Sequence, residues 1–133
     1  MKLVLDTNVL LVSISSRSKY HWLFQKLLDG SFVLCVTNEI VNEYEEIVSQ
    51  HMGKVASDSL LGLIDNLNNV EYIKTYFNFK LIPNDPDDDK FVDCAIASSA
   101  DYLVTHDNHF NVLKTVEFPK VEIIDIDSLM KLV

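Results

Sequence analysis

Short runs of aliphatic and β-branched residues alternate along this chain with longer stretches of helical periodicity. The runs lie at residues 3–5, 32–36, 70–74, 102–105 and 121–124, and residues 76–82 form a further extended stretch. Buried strands that alternate with helices are typical of a parallel sheet, in which the crossovers between strands are right-handed. The pattern therefore predicts an α/β domain whose central parallel sheet is covered by helices on both faces.

Four stretches between these runs have the spacing of amphipathic helices. They span residues 20–29, 37–50, 54–69 and a stretch that begins near Pro86. Gly30 is a suitable stop for the first of them, and Thr37 is a suitable cap for the second. A polar loop is expected at residues 13–19, and Asp127 is expected to cap a short helix at the end of the chain.

The stretch from Asp85 to Asp93 combines a high density of carboxylates with the start of a helix. Asp85 is placed to cap this helix, Pro86 suits its first position, and the helix dipole favours acids in its first turn. Asp89 and Asp93 are four residues apart, so a helix stacks them on one face, where like charges repel. A bridging cation explains this arrangement, because hard divalent cations prefer oxygen ligands.

Other acids follow predicted strands, where the carboxyl ends of a parallel sheet meet. Asp6 follows the first strand and Asp107 follows the strand at residues 102–105, and ligands of open α/β sheets bind at this edge. Asp93 enters the same edge on its helix, and Glu43 can join from the helix after the second strand. Four such carboxylates can hold one or two Mg²⁺ or Mn²⁺ ions that activate water against a phosphodiester, which predicts a nuclease.

Neutral and basic residues near these acids complete the predicted site. Asn8 and Thr105 can orient a carboxylate or a bound water. Arg17, Lys19 and Lys90 are candidates for contacts with RNA phosphates, and solvated surface charges are the alternative interpretation.

Several acids also have a purely structural interpretation. Asp6 and Asn8 can cap the helix that follows them, and Glu43 can be one of several solvated glutamates on its own helix. Asp89 fits either a ligand or a surface charge. The remaining acids of the stretch are interpreted as capping and surface charges, namely Asp85, Asp87 and Asp88.

Length and charge limit the class of protein. The 133 residues predict one domain, residues 1–133, and 48% hydrophobic residues predict a real core. A net charge of −9 argues against binding nucleic acid by bulk attraction. Acids gathered around a metal invert the local field, however, so nucleic acid is not excluded as a substrate.

The cysteines and the N terminus predict a cellular compartment. Cys35 and Cys94 lie in apolar runs without a disulfide framework, which is typical of buried thiols in a reducing compartment. His106 and His109 flank Asp107, but no cysteine or further histidine has the spacing of a zinc site. The N terminus becomes polar too early for a signal peptide and no apolar run has spanning length, so we expect a cytoplasmic protein without membrane contact.

Four segments, in chain order, resemble the motifs of the PIN domain family. They are Leu-Asp-Thr-Asn-Val-Leu at residues 5–10, Asn-Glu-Tyr-Glu-Glu at 42–46, the acidic stretch at 85–93, and Tyr-Leu-Val-Thr-His-Asp at 102–107. The resemblance is to the VapC-like branch, the toxins of bacterial toxin–antitoxin systems, and it spans nearly the whole chain. It implies a three-layer α/β/α sandwich with a central parallel sheet and Mg²⁺- or Mn²⁺-dependent cleavage of single-stranded RNA. It also implies a homodimer and a cognate antitoxin protein as partner.

The resemblance also assigns roles by position. The acidic quartet of the family corresponds to Asp6, Glu43, Asp93 and Asp107. Asn8 and Thr105 match the polar accessories of the quartet, and Asp89 matches an acid that is common in this branch. His106 departs from the family pattern, which has a small residue there, so it is expected to narrow access to the site or to change the loop.

Two other functions fit parts of the pattern. The first is a non-catalytic PIN-like module that binds RNA or a protein and retains the acids by descent. The loss of one of the four acids would favour this function, but all four are present. A phosphotransfer domain would use Asp6 as its phosphoacceptor. Dehalogenase-like proteins of that kind need a second aspartate two residues later, where this chain has Asn8.

Overall fold

Five parallel strands form the central sheet. The computed structural model describes residues 1–82 and 86–133, and the strands in these ranges are β1 (Lys2–Leu5), β2 (Val33–Val36), β3 (Val70–Tyr72), β4 (Tyr102–Val104) and β5 (Ile123–Ile124). Their order is β3-β2-β1-β4-β5, and each neighbouring pair is parallel. In this register Leu3 of β1 lies between Leu34 of β2 and Tyr102 of β4. The predicted parallel sheet is therefore confirmed.

Helices occupy the connections between the strands. They are α1 (Thr7–Ile14), α2 (His21–Leu28), α3 (Asn38–Met52), α4 (Lys54–Asn66), α5 (Asp89–Ser98) and α6 (Ile126–Met130), with 3₁₀ segments at Pro86–Asp88 and Asn108–Thr115. From β1 to β3 the chain moves across the sheet in one direction, and it then returns past β1 to β4. Right-handed crossovers consequently place α1 to α4 on one face and α5 on the other, which confirms the α/β/α arrangement.

The strand order reverses at β1. The chain leaves β1 towards β2 on one side, whereas β4 borders β1 on the other side. A crevice opens outside the carboxyl ends of the strands at such a reversal, and open α/β sheets bind their ligands there. Asp6 follows β1 and Thr105 follows β4, so these two residues flank the crevice.

The core fixes α3 and α5 against the sheet. Val4 and Leu103 on the strands, Tyr44 on α3 and Phe91 on α5 are all fully buried. Burial of a large apolar side chain contributes about 1.5–3 kcal/mol. Because α5 packs against β1, β2 and β4, its first turn is held near the carboxyl ends of the strands.

The start and end of α3 follow from two residues. Thr37 caps the helix as predicted, since its Oγ1 accepts a hydrogen bond from the Ile40 N–H at 3.2 Å. Gly53 separates α3 from α4 with a φ of 92°, a backbone conformation that a side chain disfavours. Glu43 therefore lies on the second turn of a helix whose register is fixed at its N terminus.

The first and last helices differ from the predictions. Helix α1 continues to Ile14, so the predicted loop from residue 13 begins later. The Ser13 hydroxyl donates to the Leu10 carbonyl oxygen at 2.7 Å, which satisfies this polar group inside the helix. Helix α6 is capped by Asp125, which accepts from the Ser128 N–H at 2.7 Å, and the prediction of Asp127 as the cap was wrong.

The acidic helix also begins later than predicted. Helix α5 starts at Asp89, and Asp87 and Asp88 belong to the preceding 3₁₀ turn. The predicted cap, Asp85, lies outside the described residues. Residues 76–82, which were expected to be extended, belong to no strand of the described sheet.

Both cysteines are buried, as predicted. Burial raises the pKa of Cys94 to about 12, so its thiol stays protonated and unreactive at neutral pH. None of the helices within residues 1–82 and 86–133 has the length and apolar character that crossing a bilayer requires.

Tyr44 ties α3 to the central strand and offers a test of this packing. Its hydroxyl donates to the Leu5 carbonyl oxygen at 2.6 Å in a fully buried environment. We expect Tyr44→Phe to lower the free energy of unfolding by about 1 kcal/mol, because a buried hydrogen bond is lost. Urea denaturation measures the change.

The matched control for this variant is Tyr72→Phe. The Tyr72 hydroxyl bonds to the Asp65 carboxylate on the surface, so its loss should change the free energy of unfolding by less than about 0.5 kcal/mol. Equal effects of the two variants would contradict the structural role of Tyr44.

Candidate metal centre

Asp6 lies at the carboxyl end of β1, beside the end of β4. Its backbone N–H donates to the Val104 carbonyl oxygen at 3.0 Å. The residue is only 7% exposed, and the Thr105 hydroxyl donates to its Oδ2 at 2.8 Å. The strand and this hydrogen bond together fix the Asp6 carboxylate at the crevice.

Thr105 connects Asp6 with Asp107. The Asp107 backbone N–H donates to Thr105 Oγ1 at 3.0 Å, while the same hydroxyl gives its proton to Asp6. The Asp107 carboxylate in turn accepts from the His109 N–H at 2.9 Å and so caps the 3₁₀ helix that follows. A buried threonine thus determines the spacing of two acids that follow neighbouring strands.

Glu43 reaches this region from α3. Its Oε2 accepts a hydrogen bond from the hydroxyl of Thr7, the residue that follows Asp6 in the chain. Its Oε1 lies 2.7 Å from the Lys90 ammonium on the first turn of α5. Both oxygens of this half-buried carboxylate are engaged, so Glu43 is held in one orientation, which a solvated surface glutamate would not be.

Asp88 joins the acids from the 3₁₀ turn before α5, although the sequence suggested a capping or surface charge. Oxygens of Asp88 and Asp107 and a ring nitrogen of His109 all lie within 4.8 Å of one another. One cation can contact groups at this spacing. Asp88 is the residue immediately before α5, and this position is the sequence signal that could have identified it. Because Asp88 is the second of three consecutive aspartates, the sequence alone does not show which of them precedes the helix.

The electrostatics of Asp6 are those of a crowded acidic site. Burial raises the pKa of Asp6, hydrogen bonds from Thr105 and from the Thr7 backbone lower it, and the charges of Asp107 and Glu43 raise it further. Asp6, Glu43 and Asp107, which come from three distant segments, are therefore electrostatic neighbours.

Asp93 and Asp89 have different neighbours from these three acids. The Asp93 Oδ1 accepts from the Phe79 N–H at 3.1 Å, and the Asp89 Oδ1 accepts from the Ile82 N–H at 3.0 Å. Burial raises the pKa of Asp93, the bond from Phe79 lowers it, and the charges of Asp89 and Glu39 raise it. The two acids lie beside each other, as their spacing predicts. Their described hydrogen bonds join α5 to residues 79–82, and their role as ligands stays a prediction.

A hollow of about 380 Å³ opens in front of Asp6 and Asp107. Asn8, which is exposed, lines this hollow together with Tyr20 and His106. The Tyr20 and His106 rings are 5.8 Å apart. His106 therefore forms part of the wall of the hollow, where the family pattern has a small residue.

Of the basic residues predicted near the site, Lys90 is the one that pairs with an acid of the centre. Arg17 is exposed in the turn after α1. Lys19 Nζ lies 4.9 Å from the centre of the Tyr20 ring, and Tyr20 lines the hollow.

The donors fit a hard divalent cation. Asp107 lies within 4.8 Å of Asp88 and His109, and the charges of Asp107 and Glu43 act on Asp6. Oxygen is the ligand that Mg²⁺ and Mn²⁺ prefer. Lys90 neutralises part of the negative charge. His109 adds a ring nitrogen next to Asp88 and Asp107.

Comparisons with known proteins agree with the fold described above. Residues 2–109 match the family model of the PIN domain. A chain of VapBC2 from Rickettsia felis, in a crystal structure bound to a DNA fragment from their promoter, matches with a TM-score of 0.64 and 18% identity, covering 94% of this chain and 98% of that chain. A chain of the DNA-bound VapBC from Salmonella typhimurium gives 0.61 and 20%, covering 95% and 98%.

A third solved structure is that of VapC20 from Mycobacterium tuberculosis, a Sarcin-Ricin loop cleaving toxin. It matches with a TM-score of 0.62 and 12% identity, covering 86% of this chain and 97% of that chain. At these identities the structural matches show a shared fold. No curated protein matches this chain by sequence.

The buried charge of Asp6 predicts a pH dependence for the metal-free protein. Its pKa in the folded state lies above the ordinary value of 3.8, so as the pH rises the unfolded chain releases this proton first. The stability contributed by Asp6 therefore falls as the pH rises from 3.8 to the folded-state pKa and stays low above it. We expect Asp6→Asn to be more stable than the wild type near neutral pH and about equal to it below pH 3.8.

Urea denaturation in the presence of a chelator, at a series of pH values, measures this difference. Asp58→Asn on the exposed surface of α4 is the matched control and should show little change. A stability difference between Asp6→Asn and the wild type that is independent of pH would contradict the buried charge.

Proposed function

Since this chain belongs to the PIN domain family, we propose that it is a Mg²⁺- or Mn²⁺-dependent endoribonuclease that cleaves single-stranded RNA. The observation that carries this proposal is the position of the acids. Asp6, Glu43 and Asp107 come from distant parts of the chain and approach each other at the reversal of strand order, where burial, and then the charges of Asp107 and Glu43, raise the pKa of Asp6. A fold that brings these charges together serves the binding of a cation.

Each group of the centre has a role in this proposal. Asp6, Glu43 and Asp107 provide ligand oxygens, and Asp88 provides another because it lies beside Asp107. A divalent cation at these oxygens supplies Lewis-acid chemistry: it acidifies water and neutralises charge on the phosphodiester. Thr105 holds Asp6 in orientation through its hydroxyl.

Substrate contacts follow from the surroundings of the acids. Asn8 lines the open hollow in front of Asp6 and can donate a hydrogen bond to a phosphate oxygen. Lys90 holds Glu43 and lies at the edge of the centre, where its ammonium attracts the RNA backbone. Arg17 is proposed as a more distant phosphate contact.

We further propose that the protein is the toxin of a toxin–antitoxin pair. Two of its structural neighbours are VapBC proteins, and a third is a toxin that cleaves the Sarcin-Ricin loop. The partner is then a cognate antitoxin protein, and the toxin itself is a homodimer in the cytoplasm. Residues 1–133 form its one domain in this proposal.

One observation favours a second function, a non-catalytic module that binds RNA or protein. Lys90 already satisfies Glu43 without a metal, as expected if the acid only stabilises the fold. Measurements of metal binding and of cleavage separate the two functions.

The central prediction concerns metal-dependent cleavage. A labelled single-stranded RNA should be cut in the presence of Mg²⁺ or Mn²⁺ and survive with a chelator, and titration calorimetry should detect Mn²⁺ binding. The Asp6→Asn and Asp107→Asn variants should lose both RNA cleavage and Mn²⁺ binding, because each substitution removes a charged ligand. Asp58→Asn, an exposed acid on α4, should behave like the wild type. Metal binding by the wild type without any cleavage would favour the non-catalytic module.

The ligand set itself is tested by comparing two acids near α5. Asp88→Asn should weaken Mn²⁺ binding, because Asp88 lies within 4.8 Å of Asp107. Asp93→Asn should retain Mn²⁺ binding within about 10-fold, the lower range of effects from residues that only support a ligand. The reverse order, with Asp93→Asn the more damaging, would support the prediction from the sequence that Asp93 is a ligand and would count against Asp88.

A further inference from the structure

Residues 74–82, here called the aromatic segment, expose a cluster of aromatic rings. Tyr76 is 83% exposed and Phe77 is 73% exposed. Phe79 is 37% exposed, and its ring centre lies 6.2 Å from that of Phe77. Rings gathered on the surface do not contribute to the core, and clusters of this kind mark interaction sites.

The aromatic segment is anchored at both of its ends. Before it, the Ile73 N–H donates to the Val36 carbonyl oxygen at 2.7 Å. At its other end, the buried Asp93 and the half-buried Asp89 accept the N–H groups of Phe79 and Ile82. Ile82 is itself buried. The exposed rings are therefore carried by a fixed backbone.

The charge of the aromatic segment is the opposite of the charge of the whole chain. Its residues include Lys74 and Lys80 and no acid, whereas the whole chain carries a net charge of −9. The two lysines stand on either side of the three rings in the sequence. Basic groups next to exposed rings suit a single-stranded nucleic acid, whose phosphates meet the lysines while its bases stack on the rings.

The aromatic segment is continuous with the candidate metal centre. A cavity of about 630 Å³ is lined by Asn78 and Lys80 of the segment and by Asp87 and Lys90 near the start of α5. Asp87 and Lys90 also line the neighbouring hollow at Glu43. Lys90 also lines a third hollow together with Lys74 and Tyr76, so a strand that passes the acids can continue past Lys90 to the rings.

The inside of this cavity determines how such a strand is oriented. Glu39, Asp89 and Asp93 also line it, so these acids repel phosphates, while N–H groups of bases can donate to their carboxylates. Lys80 and Lys90 line the same cavity, so the sugar–phosphate backbone is expected beside these lysines and away from the acids.

We propose that the aromatic segment is a binding platform for the bases of single-stranded RNA on one side of the bond that is cut. Two or three bases stack on Tyr76, Phe77 and Phe79, and their phosphates pair with Lys74 and Lys80. This inference rests on the proposed ribonuclease function, because it extends the same substrate beyond the acids.

Affinity for RNA is the first measurement. Asp6→Asn serves as the background, so that the RNA is not cut, and fluorescence anisotropy follows a labelled single-stranded oligouridine. Tyr76→Ala with Phe77→Ala should weaken binding by at least about 5-fold for each ring, equivalent to about 1 kcal/mol for each lost stacking partner. The control is Phe118→Ala, which removes another exposed ring, 91% exposed, outside the segment. It should leave the affinity unchanged.

The sequence allows the contact to be mapped directly. Trypsin cleaves after Lys74 and Lys80, so residues 75–80 are released as one peptide that contains all three rings. Ultraviolet irradiation of the complex with the oligouridine, followed by mass spectrometry, should place a crosslink on this peptide. Crosslinks that occur only elsewhere would overturn the proposal.

The lysines are tested through the salt dependence of binding. Lys74→Gln with Lys80→Gln should lower the slope of log affinity against log salt by roughly 1.4, since each phosphate contact with a single strand contributes about 0.7. An unchanged slope would remove the phosphate contacts from the proposal.

The outcomes separate this inference from the proposed function. If the wild type does not cleave RNA, the proposed function fails. If the wild type cleaves RNA and the Tyr76→Ala, Phe77→Ala variant binds and cuts equally well, only the platform is wrong. If this variant instead changes from a dimer to a monomer in sedimentation while its RNA affinity is unchanged, the rings contact a second copy of the chain.

Discussion

The burial of one carboxylate beside two others at the reversal of strand order is the constraint around which this structure is organised. Asp6 is buried and has Asp107 and Glu43 as charged neighbours, which opposes folding in the absence of a counter-charge. Rigid elements maintain the arrangement: β1 and β4 hold the backbone, and the Thr105 hydroxyl orients Asp6. Tyr44 fastens the helix that carries Glu43 to the end of β1. The core thus stabilises a site that its own charges destabilise, as preorganised functional sites generally require.

Lys90 shows how the protein moderates this repulsion. Its ammonium contacts Glu43 and it lies on the first turn of α5, next to the acids of the 3₁₀ turn. An internal cation compensates a carboxylate while leaving Asp6 and Asp107 at the open hollow. Glu43 is accordingly the most neutralised of the three acids, and Asp6 and Asp107 line the hollow.

The sequence predicted the fold well, because alternation of apolar runs and helical periodicity depends on local residue patterns. It also predicted that Asp6 and Asp107 would approach each other, since both follow strands of one parallel sheet. It did not distinguish Asp88 from its neighbours, because a shift of one residue in the start of α5 decides which aspartate reaches Asp107. The hydrogen bonds of Asp89 and Asp93 to residues 79–82 were equally unforeseen, since irregular segments carry no periodic signal.

The anchoring of the aromatic segment through main-chain atoms has an evolutionary consequence. Asp93 and Asp89 accept hydrogen bonds from the backbone N–H groups of Phe79 and Ile82. The hydrogen bond at position 79 therefore does not depend on which side chain that position carries. A proline at that position would remove the amide donor, whereas most other replacements would keep the loop in place. Other PIN domains with the same anchors could therefore display different residues at this position without altering the acids at the sheet.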